Sequence, residues 1–232
     1  MIELYIDNLA WLNAGHGRGE YLTLPAPFEA AQAPLKRLDL ADGKHDLVIT
    51  EYETDIPGLA KCLSQHDNLD ELNYLASLLD RLDEGQREKF AAAVAHGEYA
   101  NEVGQLINLA QNLDCYDLYP DIHKWEDLGH IRADGQIRLP GDFHFYFDYE
   151  ALGRDTSINE GGEFTYAGYI HNNKSGFSEY YKGREDIPED CRIFTRLELG
   201  KMSIIETLKA YQKMIDEKAP TPERPRNMTY DR

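Results

Sequence analysis

Near Asn68 the apolar residues of this chain change their period, and that change limits the folds open to it. Before it, Ile2-Glu3-Leu4-Tyr5-Ile6, Glu20-Tyr21-Leu22-Thr23-Leu24 and Leu47-Val48-Ile49-Thr50-Glu51-Tyr52 are short runs of β-branched and aromatic residues bounded by Gly, Pro, Asn or Asp. Such runs read as strands of a small mixed sheet. Between the second and third, Phe28 to Ala33 reads as a short helix opened by Pro27 at its first turn. After Asn68, Leu69, Leu72, Leu75, Ala76, Leu79 and Leu82 recur at three- and four-residue steps, the mark of an amphipathic helix. Asn68 with Glu71 makes a capping-box start, and Asp83 with Gln86 a second that opens a helix running to His96 and closed by Gly97. Capping is the role expected of Glu71 and Gln86. Tyr99, Val103, Leu106, Ile107 and Ala110 give a third stripe, so residues 61–112 read as a compact helical unit.

The third region is less regular. Asp114-Cys115-Tyr116-Asp117-Leu118-Tyr119-Pro120-Asp121 is too interrupted for a long helix and is expected as a loop. An aromatic run from Phe143 to Glu150, a turn at Asn159-Glu160-Gly161-Gly162 and a strand-like segment from Glu163 to Ile170 follow. Ile204, Ile205, Leu208, Tyr211, Met214 and Ile215 give one more amphipathic helix, and Thr221 to Arg232 reads as a disordered tail. The fold class is therefore α+β, divided into residues 1–60 (small α+β), 61–112 (helical), 113–199 (α+β) and 200–232 (helix and tail).

The first 199 residues carry 37 Asp and Glu against 17 Lys and Arg, a net of −20, while the last 33 carry 5 against 7. The surplus is even: −6 over residues 1–60, −7 over 61–120 and −7 over 121–199. Such a surface repels the phosphates of nucleic acid and membranes and attracts basic partners. No 18-residue apolar run exists, and Glu3 and Asp7 stand where a signal peptide needs a basic flank and an apolar core, so a cytoplasmic protein is expected. Cys62, Cys115 and Cys191, odd in number and far apart, fit reduced thiols.

Familiar chemistry is missing. There is no Gly-x-Ser-x-Gly elbow, His-Glu-x-x-His or Cys-x-x-Cys. Gly15-His16-Gly17-Arg18-Gly19 precedes a strand and lacks a following Lys-Ser/Thr, which excludes a phosphate loop. His123, His130 and His144 with Asp142 match no recognised metal spacing, so no metal or cofactor is expected. Acid pairs such as Asp148 with Glu150, or Asp83 with Glu84, arise by chance among 42 carboxylates.

The stretch from Asp148-Tyr149-Glu150-Ala151-Leu152-Gly153-Arg154-Asp155 through Ile158-Asn159-Glu160-Gly161-Gly162 to Phe164-Thr165-Tyr166-Ala167-Gly168-Tyr169-Ile170 resembles the ArdA antirestriction proteins of mobile genetic elements. So do Ile49-Thr50-Glu51-Tyr52-Glu53, Leu69-Asp70-Glu71-Leu72-Asn73-Tyr74-Leu75-Ala76, the segment from Leu82-Asp83-Glu84 to Phe90, and Cys115-Tyr116-Asp117-Leu118-Tyr119-Pro120. The resemblance spans most of residues 1–170; the chain is longer than the compact members, and its net-positive end is no part of a phosphate imitation. The resemblance implies an elongated, non-enzymatic protein of three small domains, dimerising through the last, whose carboxylates imitate bent duplex DNA. It further implies that the partner is a type I restriction-modification enzyme; the body charge of −20 leads to the expectation that nucleic acid itself is not bound. B-DNA carries one charge per about 1.7 Å, so a net of −20 equals the phosphates of roughly 10 base pairs.

On this reading the partner-facing carboxylates are Asp70, Asp80, Asp83, Glu84, Glu88, Asp114, Asp117, Asp121, Asp148, Glu150, Asp155 and Glu160. Eight aromatics lie between Phe143 and Ile170, and the dimer contact is expected from Phe145, Tyr146, Phe147, Tyr149, Phe164, Tyr166 and Tyr169. The rival readings are an acidic adaptor for another basic DNA-binding protein and a hydrolase working through a carboxylate pair.

Overall fold

The computed structural model describes residues 1–41, 46–136 and 141–194. The expected helix from Ile204 to Ile215 and the tail from Thr221 lie outside the described residues.

The N-terminal runs form strands β1 (Ile2–Asn8), β2 (Glu20–Leu24) and β3 (Leu47–Thr54), ordered β2-β1-β3. Both pairings are antiparallel, which corrects the expected mixed sheet. Along β1 and β2 the burial alternates, so Ile2, Leu4, Ile6, Leu22 and Leu24 face the core. A short helix, α1 (Leu9–Asn13), leaves β1 directly; the Asn8 side chain caps it and reaches back to the Leu38 carbonyl. Helix α2 (Phe28–Arg37) runs past its expected end at Ala33, and Pro27 is its cap rather than its first helical residue. Pro34 inside a helix costs about 3 kcal/mol. It is tolerated because Ala31, Pro34 and Leu35 all bury on one face.

The helical stripes form α3 (Leu69–Asp80), α4 (Glu84–His96) and α5 (Val103–Gln111). The Asp83–Gln86 capping box is complete in both directions, and Gly97 ends α4 in the left-handed region at φ 83°. At α3, Asn68 caps the Asp70 amide, but Glu71 does not close a box. Its carboxylate accepts the Tyr181 hydroxyl instead. The second half of α4 buries five residues in succession, Phe90 to Val94, because α4 is covered by α5 on one side and the second sheet on another.

That sheet has the order β4-β6-β5, with β4 (Tyr116–Tyr119), β5 (Glu163–Thr165) and β6 (Gly168–Asn172) all antiparallel. The segment expected as a loop thus contains an edge strand, whose pairing with β6 outweighs its poor local propensity. The excursion between β4 and β5 is made of α6 (Trp125–Gln136) and α7 (Tyr149–Glu160), which had no clear apolar stripe. They cross backbone to backbone: a Cβ on Gly153 would overlap the Trp125 carbonyl, and one on Gly129 would overlap that of Tyr149. Tyr149, Gly153 and Ser157 form the buried ridge of α7 at four-residue steps.

Residues 173–194 contain only two short 3₁₀ turns, Arg184–Asp186 and Glu189–Cys191, and pack as a strap on α3 and α5. Buried side chains hold it. Asn108 grips the Tyr181 backbone at both N–H and carbonyl, Asn112 does the same for Ser178, and Asn73 reaches the Cys191 carbonyl. One apolar cluster then runs from Ile2 to Ile193, across the first three of the expected segments, and a smaller one gathers Ile122, Leu128 and Tyr169. The three cysteines are free, and burial pushes their thiols above the ordinary range. Among the described residues no helix is long and apolar enough to cross a membrane.

Candidate partner-binding surface

The expected carboxylates arise from four places in the fold, and these treat them differently. Asp80 ends α3, Asp83, Glu84 and Glu88 open α4, Asp114, Asp117 and Asp121 flank or lie in β4, and Asp148, Glu150, Asp155 and Glu160 belong to α7 and its cap. A helix N-terminus stabilises carboxylates, which is why Asp83, Glu84, Asp148 and Glu150 cluster at the starts of α4 and α7.

Glu84, Glu88, Asp114, Asp121, Glu150 and Asp155 are exposed, and their carboxylates make no ion pair among the described residues. Glu84 and Glu88, one turn apart on α4, project from the same side of that helix. Asp80 is exposed and lies 3.8 Å from Arg87, a distance at which a solvated pair contributes little. Asp83 and Asp148 accept the backbone amides of Gln86 and Ala151, so each is committed to a cap while remaining exposed.

Three expected residues are engaged within the fold. Asp70 is wholly buried, accepts the Ile193 and Phe194 amides, and pairs with Arg184, so it is corrected from a surface carboxylate to an anchor of the strap. Nothing near it in sequence signals this. Glu160 pairs with Arg132 at 2.9 Å and accepts the Tyr169 hydroxyl; Arg132 in turn lies 5.1 Å from the Tyr119 ring centre. Asp117 accepts from the Asn173 amide and stands 3.9 Å from His171. Burial, reinforced by Glu160, pushes the Tyr169 hydroxyl up to about 12.

The aromatics expected at a dimer contact divide as well. Phe145 and Tyr146 are 90% and 89% exposed, and Tyr166 is exposed. Tyr149 and Tyr169 are corrected: both are buried in the protomer's own packing. Tyr149 stacks on His130 and accepts or donates a hydrogen bond with His144, while Tyr169 sits against Ile122 and Leu128. Phe147 and Phe164 are half-buried beside them. No group of three or more metal-ligating side chains converges among the described residues.

Outside the expected set, the first sheet also exposes two acids, Glu51 and Glu53 of β3. Their every-second-residue spacing was the available signal. Comparison with known families matches residues 4–171 to the family described as Antirestriction protein (ArdA). No curated protein matches the chain.

Proposed function

The chain belongs to the ArdA antirestriction family, and from that premise we propose that it inhibits type I restriction-modification enzymes by filling their DNA-binding groove. Antirestriction is the function of the family, which is non-catalytic. The finer reading is that surface carboxylates stand in for the phosphates of bent duplex DNA.

The observation that carries it is the pairing of a −20 body with exposed carboxylates on several separate elements, from Glu84 and Glu88 on α4 to Glu150 and Asp155 on α7. An acidic surface spread this way meets a basic groove along its length, as DNA does, rather than at one point. The protein acts as a cytoplasmic homodimer, with Phe145 and Tyr146 in the contact, since two adjacent aromatics this exposed are otherwise unfavourable in water.

Displacement of a duplex from a purified type I methyltransferase core, measured at several salt concentrations, tests the reading. Displacement that weakens as salt rises is expected. Tight binding of duplex DNA by this protein itself at physiological salt would overturn it, and dependence on one carboxylate alone would favour a hydrolase or a localised adaptor site.

A further inference from the structure

The face that α3 and α5 turn toward the strap holds an extended chain by its main-chain groups. Asn108 on α5 and Asn112 at its C-terminal cap stand one turn apart, and each applies its whole side-chain amide to one strap residue. Asn108 donates to the Tyr181 carbonyl and accepts the Tyr181 amide, both at 2.8 Å; Asn112 does the same for Ser178, both at 2.9 Å. A neighbouring β-strand would supply such two-way bonds, and here side chains supply them instead. Further along, Asn73 of α3 donates to the Cys191 carbonyl at 2.8 Å, Gln32 of α2 donates to the Ile193 carbonyl at 2.9 Å, and Asp70 accepts the Ile193 and Phe194 amides.

These five side chains are at most 8% exposed. A buried amide or carboxylate that lacks its partner costs about 1 to 3 kcal/mol, so the face is complete only when a chain lies on it. Apolar groups add to the fit: Phe177 stacks on Tyr99 with ring centres 3.9 Å apart, and Tyr181, Ile187 and Ile193 are buried, the Tyr181 hydroxyl donating to Glu71. The tether is different. Lys174, Ser175 and Gly176 are exposed, and a Cβ on Gly176 meets nothing within 4 Å.

We propose that the α3–α5 face is a polypeptide-docking site that reads the main chain of an extended segment, and that its partner in trans is the same strap on a second copy of this chain. In cis, residues 177–194 act as a tethered ligand. Main-chain bonds supply affinity, while the aromatic pair Phe177 and Tyr181, four residues apart, sets which segment fits. A second copy carries that pair and presents the same donors and acceptors, the relation that underlies exchange of an element between protomers. The short tether keeps the cis strap at a local concentration on the order of a millimolar, so the cis form prevails in dilute solution. The site does not depend on the antirestriction reading.

The test uses the full-length protein with a protease recognition sequence inserted at residues 174–176 and cut only after folding. A labelled synthetic peptide of residues 177–194 is the probe for a second copy's strap. Circular dichroism is expected to be unchanged by the cut, and the labelled peptide is expected to bind the cut protein, but not the uncut one, at micromolar concentration, read by fluorescence anisotropy. A peptide N-methylated at Ser178 and Tyr181, which lacks both donated amides, is expected to compete at least about ten-fold more weakly. A peptide carrying Phe177→Ala is expected to compete about ten-fold more weakly. Both changes are on the peptide, so the fold of the protein is untouched. Loss of structure on cutting, no binding of the labelled peptide to the cut protein, equal binding to cut and uncut protein, or undiminished competition by the N-methylated peptide would each overturn the proposal.

Discussion

Arg184 and Asp70, 114 residues apart in sequence, form a 2.7 Å ion pair in which the carboxylate is wholly enclosed. The same carboxylate accepts the Ile193 and Phe194 amides. Asp70→Ala leaves three donors without their acceptor, so a loss of about 3 kcal/mol or more is expected. In a body of this size that lowers the melting temperature by about 6 to 12 °C. Asp70→Asn, which keeps an acceptor for the two amides, is expected to lose less. Calorimetry on both variants checks the order.

The crossing of α6 and α7 tolerates no side chain. Gly153→Ala places a methyl group on the Trp125 carbonyl, so the helices must separate. A loss of about 1 to 3 kcal/mol is expected, the range for overpacking a tight contact. Amide exchange should rise in α6 and α7 ahead of the first sheet, and uniform exchange across the protein would count against a local effect.

Alkaline solution is expected to destabilise the protein. The Tyr169 hydroxyl titrates near 12 when folded and near 10 when unfolded, so the folded state holds the proton more tightly. Its contribution is complete below about pH 10 and is lost as pH rises toward 12, up to about 2 to 3 kcal/mol. Burial raises Tyr52, Tyr116 and Tyr181 in the same direction. Unfolding curves between pH 9 and 12 should therefore fall for the parent protein and fall less for Tyr169→Phe.

Inhibition is expected to be distributed. Amide substitution of Asp80, Glu84 or Glu88 singly should cost about 1 kcal/mol or less in affinity. Losses should add up when Glu84, Glu88, Asp114, Asp121, Glu150 and Asp155 are neutralised together, with a shallower response to salt. Competition assays on the graded series distinguish this from a single dominant acid.

Replacing Phe145 and Tyr146 with Ser should shift sedimentation toward the monomer without lowering the melting temperature, since both rings lie in solvent. A monomeric parent protein at micromolar concentration would contradict the proposed contact.

Local signals in the sequence are legible where they decide the structure locally. The Asp83–Gln86 box and the Leu69-to-Leu79 stripe are such cases, because caps and helical faces depend on neighbours within one turn. The α6–α7 pair was not legible, because its contact is made by two glycines and leaves no apolar stripe. Composition likewise did not show which aromatics turn inward: Phe145 and Tyr149 are four residues apart, yet one is in solvent and the other is enclosed between histidines. Of the expected carboxylates, Asp70 was misread for the same reason, its partners being more than a hundred residues away.

The strap begins where the family match ends, at residues 173 and 171. Asp70, Asn73, Asn108 and Asn112 lie inside the matched span, and each contributes hydrogen bonds to residues beyond it. These four positions and the strap form one hydrogen-bonded unit. A chain ending near residue 172 would leave the Asp70 carboxylate without the Ile193 and Phe194 amides, and Asn108 and Asn112 without their strap partners, so residues beyond the match finish the helical layer that the match contains.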